Sequence, residues 1–162
     1  MNDPFGFLII DKPKGLTSHD CVNKIRKILG VKRVGHGGTL DPNVTGVLPI
    51  AVGQATRLFP YLPSDKHYRG VIQLGSRTTS DDIQGETIST QAWPKLEMIT
   101  LEKYLDEFRG EIKQYPPKIS SVHVNGERAY KRARKGEIFD LPERTVWVHE
   151  LLLLSWEQEL GQ

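Results

Sequence analysis

Four glycines and a proline fall within twelve residues: Gly35, Gly37, Gly38, Pro42 and Gly46. Such a stretch lacks β-carbons at four positions and an amide donor at a fifth. Residues 35–46 therefore read as a tightly shaped loop and not as a regular element. The loop offers one carboxylate, Asp41, and one imidazole, His36. An Asp before Pro is an ordinary turn opener, because its side chain can bond the backbone downstream. Alternatively the loop holds Asp41 against a substrate as a nucleophile, with the glycines permitting close backbone approach. The residues alone leave both readings open.

The flanking pattern predicts an α+β fold. The apolar run at residues 7–11 reads as a strand that ends at Lys12-Pro13. Thr17 or Ser18 can cap a helix carrying Val22, Ile25, Ile28 and Leu29, which Gly30 stops. Residues 47–52 suit a buried strand, and 54–61 a short helix. The period-two run Tyr68, Gly70, Ile72, Leu74 predicts a strand over 67–74, followed by a turn at 81–86 and a strand at 87–91. Thr100 is a candidate cap for a helix bearing Leu101, Tyr104, Leu105 and Phe108, closed by Gly110. Beyond the break at Tyr115-Pro116-Pro117, a strand at 118–124, a basic helix at 127–135 and a strand or strand pair at 145–156 complete the reading. Strands and helices mix without a βαβ rhythm.

Composition serves mainly to exclude. The 162 residues suit one domain with its own core. No apolar stretch approaches the roughly 20 residues of a membrane span. The N-terminus carries no signal-like block, so a cytoplasmic protein is expected. A lone Cys21 forbids an internal disulfide, and its place in a helix pattern suits a small core residue better than a nucleophile. Five scattered histidines argue against a metal site. Leu40 stands where a dinucleotide fingerprint needs its third glycine, and neither a P-loop nor a serine-hydrolase elbow occurs. The net charge of +2 is an average over unlike segments. Residues 12–36 and 113–135 each carry seven Lys/Arg against one acid, whereas 81–111 holds eight acids and three bases. Two basic blocks set between acidic ones fit either a phosphate-neutralising face or solvated surfaces.

The loop and its continuation through Leu48-Pro49-Ile50-Ala51-Val52-Gly53-Gln54-Ala55-Thr56-Arg57-Leu58 closely resemble the catalytic motif of the TruB family of tRNA pseudouridine synthases. Gly6-Phe7-Leu8-Ile9-Ile10-Asp11-Lys12-Pro13-Lys14-Gly15-Leu16-Thr17-Ser18 is similar to the family's N-terminal motif. Asp65-Lys66-His67-Tyr68, with Leu74-Gly75 and Asp82…Gly85, resembles its tyrosine-bearing strand and turn. Later segments, from Tyr115-Pro116-Pro117 to Arg144-Thr145-Val146, follow in order. The chain departs from the commoner pattern at Gly37 (Thr, Ser or Ala), Val44 (Ala) and Thr79-Ser80 (Asp-Thr).

The resemblance implies a pseudouridine synthase catalytic fold, a mixed and mostly antiparallel sheet flanked by helices and loops, incomplete at its C-terminus. Residues 1–162 would be one partial catalytic domain. An arginine-bearing strand that pairs with the catalytic aspartate, and a PUA-type domain, would lie beyond it. It implies isomerisation of uridine to pseudouridine at position 55 in the tRNA T-arm, without cofactor or metal, with the chain as given expected to be weakly active or inactive for want of that strand. Asp41 would be catalytic. Tyr68 would stack on the flipped base and be a candidate base for the C2′ proton. His36 would fill the space the uridine leaves. Lys12 would order the Asp41 loop or contact RNA, a surface lysine being the plain alternative, and Arg33, Lys131, Arg132 and Arg134 would meet phosphates. The expected partner is the tRNA T-arm, with the protein a monomer that needs no membrane or protein partner. Two other readings remain: a tRNA-binding module without turnover, and a subunit of a guide-RNA-dependent synthase.

Overall fold

The structure, a computed structural model, describes residues 4–116, 123–124, 127–129, 132, 135, 137 and 139–162. The chain divides into two compact units, residues 1–67 and 68–162.

The first unit is built on a three-stranded antiparallel sheet. β1 (Gly6–Lys12), β2 (Val34–His36) and β3 (Gly46–Val52) lie in the order β1-β3-β2. β3 is central because its apolar run can be buried, and Leu48, Ile50, Ala51 and Val52 are all buried. Opposite β1, Leu48 faces Ile10 and Ile50 faces Leu8. α1 (Ser18–Leu29) covers this face with Cys21, Val22 and Ile25, and Val31, Val34, Leu16 and Leu40 fill the edges. The lone cysteine is a buried core residue. Ile28, expected on the apolar stripe, points outward and is exposed.

Local chemistry sets the helix limits. Thr17 caps α1: its hydroxyl accepts from the Asp20 amide at 3.0 Å, and the Asp20 carboxylate accepts from the Thr17 amide at 2.9 Å. This reciprocal capping box fixes the first turn. Gly30 ends the helix with a left-handed φ of 66°, which a side chain resists.

The glycine-rich stretch is not all loop, because β2 takes in Gly35 and His36. Its ladder ends for a covalent reason. The Gly37 amide donates to the Pro49 carbonyl at 2.8 Å, but Pro49 has no N–H to return the bond. There the chain leaves the sheet and residues 37–45 form the loop. A 3₁₀ helix, Gly53–Tyr61, follows β3. Its Phe59 lies on the sheet face away from the core, edge-on to Phe7 with ring centroids 6.0 Å apart.

In the second unit β4 (Ser76–Thr78) pairs with β5 (Thr87–Thr90), and β6 (Gly110–Gln114) with β9 (Arg144–Val148), all antiparallel. β7 (His123–Val124) pairs with β8 (Glu127–Arg128). Glu127 and Arg128 thus lie in a strand, and of the expected basic helix the described residues Ala129 and Arg132 are helical. Most of the expected strand at 118–124 and helix at 127–135 lies outside the described residues.

The expected strand at 67–74 does not form. Its residues have no ladder partner among the described residues, Leu74 lies in a turn, and Tyr68, Val71 and Ile72 are exposed. A period-two pattern supplies a face, but a strand also needs a neighbour to bond. α2 (Met98–Asp106) starts two residues before Thr100, behind Glu97, and buries none of its residues. Beyond β9, the chain to residue 156 forms no further strand. Gln158 instead ties that segment to 93–96. Its side-chain oxygen accepts from the Leu96 amide at 2.7 Å, and its carbonyl from the Trp93 indole at 3.0 Å. No helix among the described residues is long and apolar enough to cross a membrane.

Candidate active site

Asp41 stands on a loop whose two neighbouring residues are fastened. On one side, Ser18 is almost fully buried, with 3% exposure. Its hydroxyl accepts from the Leu40 amide at 2.8 Å and donates to the Leu40 carbonyl at 3.3 Å. The Leu40 side chain packs on the core. On the other side, the Pro42 carbonyl accepts from the Gly15 amide at 2.7 Å and from Lys12 Nζ at 3.4 Å. Val44 donates to the Asp41 carbonyl at 3.1 Å and closes a turn.

Lys12 is the largest of the fully buried side chains. It lies on the core face at the end of β1, and its Nζ donates also to the carbonyls of Leu16 at 2.7 Å and Pro13 at 3.0 Å. Three carbonyls around three N–H donors replace the water that burial removes. A surface lysine is thereby ruled out: the amine is spent joining the N-terminal motif to the Asp41 loop.

The Asp41 carboxylate itself is exposed and has no hydrogen-bond or ionic partner among the described residues. Chemically, the loop holds a carboxylate at a fixed place while leaving its oxygens open to a ligand. His36, at the end of β2, is half-buried, and its Nδ1 is shielded from solvent without a hydrogen-bond partner among the described residues. Pairing His36 with Ile50 puts its side chain toward the core face. Arg33 is exposed and anchored by Nε, which donates to Thr56 Oγ1 at 2.8 Å.

The remaining expected site residues belong to the second unit. Tyr68 is 76% exposed and lies outside any strand. Arg132 is committed within the chain: Nε pairs with Glu137 Oε2 at 2.6 Å, and the guanidinium sits 4.8 Å from the Phe139 ring centre. Lys131 and Arg134 lie outside the described residues. Among the described residues no three His, Cys, Asp or Glu side chains gather to hold a metal ion.

Sequence reasoning saw Ser18 only as an alternative cap. Thr17 takes that role, which frees the Ser18 hydroxyl for Leu40, 22 residues away. Phe59 was missed, because nothing in a short helical segment signals which strand its ring will cover.

An antiparallel sheet with one helical cover and a projecting aspartate loop is an α+β arrangement. A chain of the crystal structure of a Cbf5-Nop10-Gar1 complex shares it, with a TM-score of 0.59 and 29% identity over 95% of this chain and 36% of that one. The class is thus the pseudouridine synthase catalytic fold. The model of the TruB family pseudouridylate synthases (N-terminal domain) matches residues 26–162, and the chain belongs to that family. It is 63% identical to tRNA pseudouridine synthase B of Prochlorococcus marinus (strain MIT 9313), over all of this chain and 51% of that protein. It is 64% identical to the protein of the same name from Synechococcus sp. (strain WH7803), again over the whole chain and 54% of that protein. The chain thus spans about half the length of these relatives.

Proposed function

We propose that this chain carries the aspartate-bearing part of an enzyme that isomerises uridine to pseudouridine in the T-arm of tRNA. The observation that supports the reading best is the exposed Asp41 carboxylate between two pinned residues, Leu40 and Pro42. A carboxylate held this way can attack or stabilise C1′ of the ribose as the N1–C1′ bond breaks. The detached uracil turns, C5 bonds C1′ and displaces the carboxylate wherever it has bonded there, the C5 proton is lost and N1 gains one, so atoms balance without a cofactor.

The uridine must first leave its stack, at a cost of a few kcal/mol. His36, beside the loop, is assigned to the space it vacates. Tyr68 is assigned to the base by its motif, and a stacked base is worth roughly 1–3 kcal/mol. Lys12 serves the loop and Arg33 the phosphates. Arg132, Lys131 and Arg134 remain candidate phosphate contacts. The domain is read as the N-terminal part of a longer catalytic domain, acting in the cytoplasm, where tRNA is, as a monomer.

The test is release of tritium from a T-arm stem–loop RNA labelled at C5 of its uridines. Release that disappears in Asp41→Ala supports the enzyme. Tight RNA binding without release favours the second reading, a tRNA-binding module, which the span of about half the relatives' length makes worth separating. Reaction only with a guide RNA and partner proteins would favour the third reading.

A further inference from the structure

We propose that Phe59 is a positioning residue for residues 36–41, acting through the backbone of Gly35 and Gly37. This rests on the reading of Asp41 and His36 as reacting and RNA-contacting groups. A β-carbon built on Gly35 would lie 3.5 Å from Phe59 Cε2, and one built on Gly37 would lie 2.9 Å from Cε1 and 3.2 Å from Cδ1. Alternate residues of an extended chain face the same side, so one ring covers both glycines while His36 between them faces the other way. The ring is not a loose cap. It stands edge-on to Phe7 of β1, and the 3₁₀ helix behind it is tied by Thr56, whose hydroxyl donates to the Gly53 carbonyl at 3.0 Å and accepts from Arg33.

The backbone at 35–37 is therefore held on one face by the Phe59 ring and along its edge by its bonds to β3. Gly37 is also the last residue bonded to β3, so the clamp sets the height at which the chain departs toward Asp41. The lack of a side chain at 37 and the presence of the ring at 59 are one feature: a β-carbon at 37 would force the ring to shift.

A double-mutant comparison of Gly37→Ala, Phe59→Ala and the pair tests this. Two readouts on the whole chain are needed: amide exchange at Gly37, which donates to Pro49, and tritium release from T-arm RNA. In the presence of the ring, an added methyl should speed exchange and lower kcat by roughly tenfold, with KM for RNA held within about twofold. In the Phe59→Ala background the same methyl should change either by less than about twofold. Equal effects in both backgrounds overturn the proposal. Protection of the Ile50 and Ala51 amides reports whether each variant folds. If Phe59→Ala does not fold, Phe59→Leu takes its place, and the same loss of coupling is expected. If tritium release is unaffected by Asp41→Ala while the coupling in exchange persists, the functional reading fails and the clamp stands. If tritium is released and no coupling appears in exchange or kcat, the clamp fails and the functional reading stands.

Discussion

Asp41 is bound by its neighbours and not by its own side chain. Its carboxylate touches no partner among the described residues, so removing the charge should leave stability within about 0.5 kcal/mol, as at an ordinary surface site. Asp41→Asn is thus expected to melt like the parent while losing tritium release, and a large drop in melting temperature would show that the carboxylate holds the loop. Ser18 predicts the reverse. Its hydroxyl bonds both backbone groups of Leu40, and Ser18→Ala should cost about 1–2 kcal/mol and speed exchange of the Leu40 amide. An unchanged denaturant midpoint would mean that the Leu40 side chain alone anchors the loop. At position 37 a β-carbon would stand 2.9 Å from Cε1 of Phe59, so a side chain there requires the ring to move.

At the scale of elements, short-range chemistry decides where the chain turns. Thr17 and Asp20 close a capping box on α1, and Thr17→Ala should cost about 1 kcal/mol in denaturant melts. The turn between β4 and β5 is organised by Asp82, whose carboxylate accepts from Ser80 Oγ at 2.7 Å, the Gln84 amide at 2.8 Å and the Gly85 amide at 3.2 Å. The Ser80 hydroxyl above all holds this carboxyl below the usual carboxylate range; burial opposes it, and the Gln84 and Gly85 amides add to the lowering. A depressed native value means that the contribution is fully present above the unfolded carboxylate range, near pH 4, and is lost as pH falls through the native value. Amide exchange at Gln84 and Gly85 should therefore rise, beyond its intrinsic pH trend, as the solution is acidified from about pH 5 to below pH 3. Asp82→Asn should abolish that response, and a persistent response would place the titrating group elsewhere.

At the scale of the molecule, apolar burial is uneven. The first unit has a core of Cys21, Val22, Val31, Val34, Leu48, Ile50 and Val52, whereas α2 in the second buries no residue. Local opening follows such differences. Amides of Leu48, Ile50 and Ala51 should exchange at least about a hundredfold more slowly than those of α2. Comparable rates would mean that α2 is held by contacts other than burial.

The amino-acid sequence by itself determined what depends on neighbours along the chain. The α+β class, α1 with its cap region and Gly30 stop, the buried run of β3 and the aspartate loop were all legible, because capping, periodicity and glycine conformation act over a few residues. So was the family, since its ordered motifs stand in plain view. The tertiary structure alone decided what depends on partners far along the chain. It turned Lys12 from a candidate RNA contact into a buried tie, moved Ser18 from cap to clamp, and laid Phe59 across two glycines. It also left 67–74 without a ladder, although its alternation is regular. The reason is the same in each case: a buried donor or an extended backbone is stabilised only by a partner in space, and the partners of these residues lie where folding, not sequence proximity, brings them.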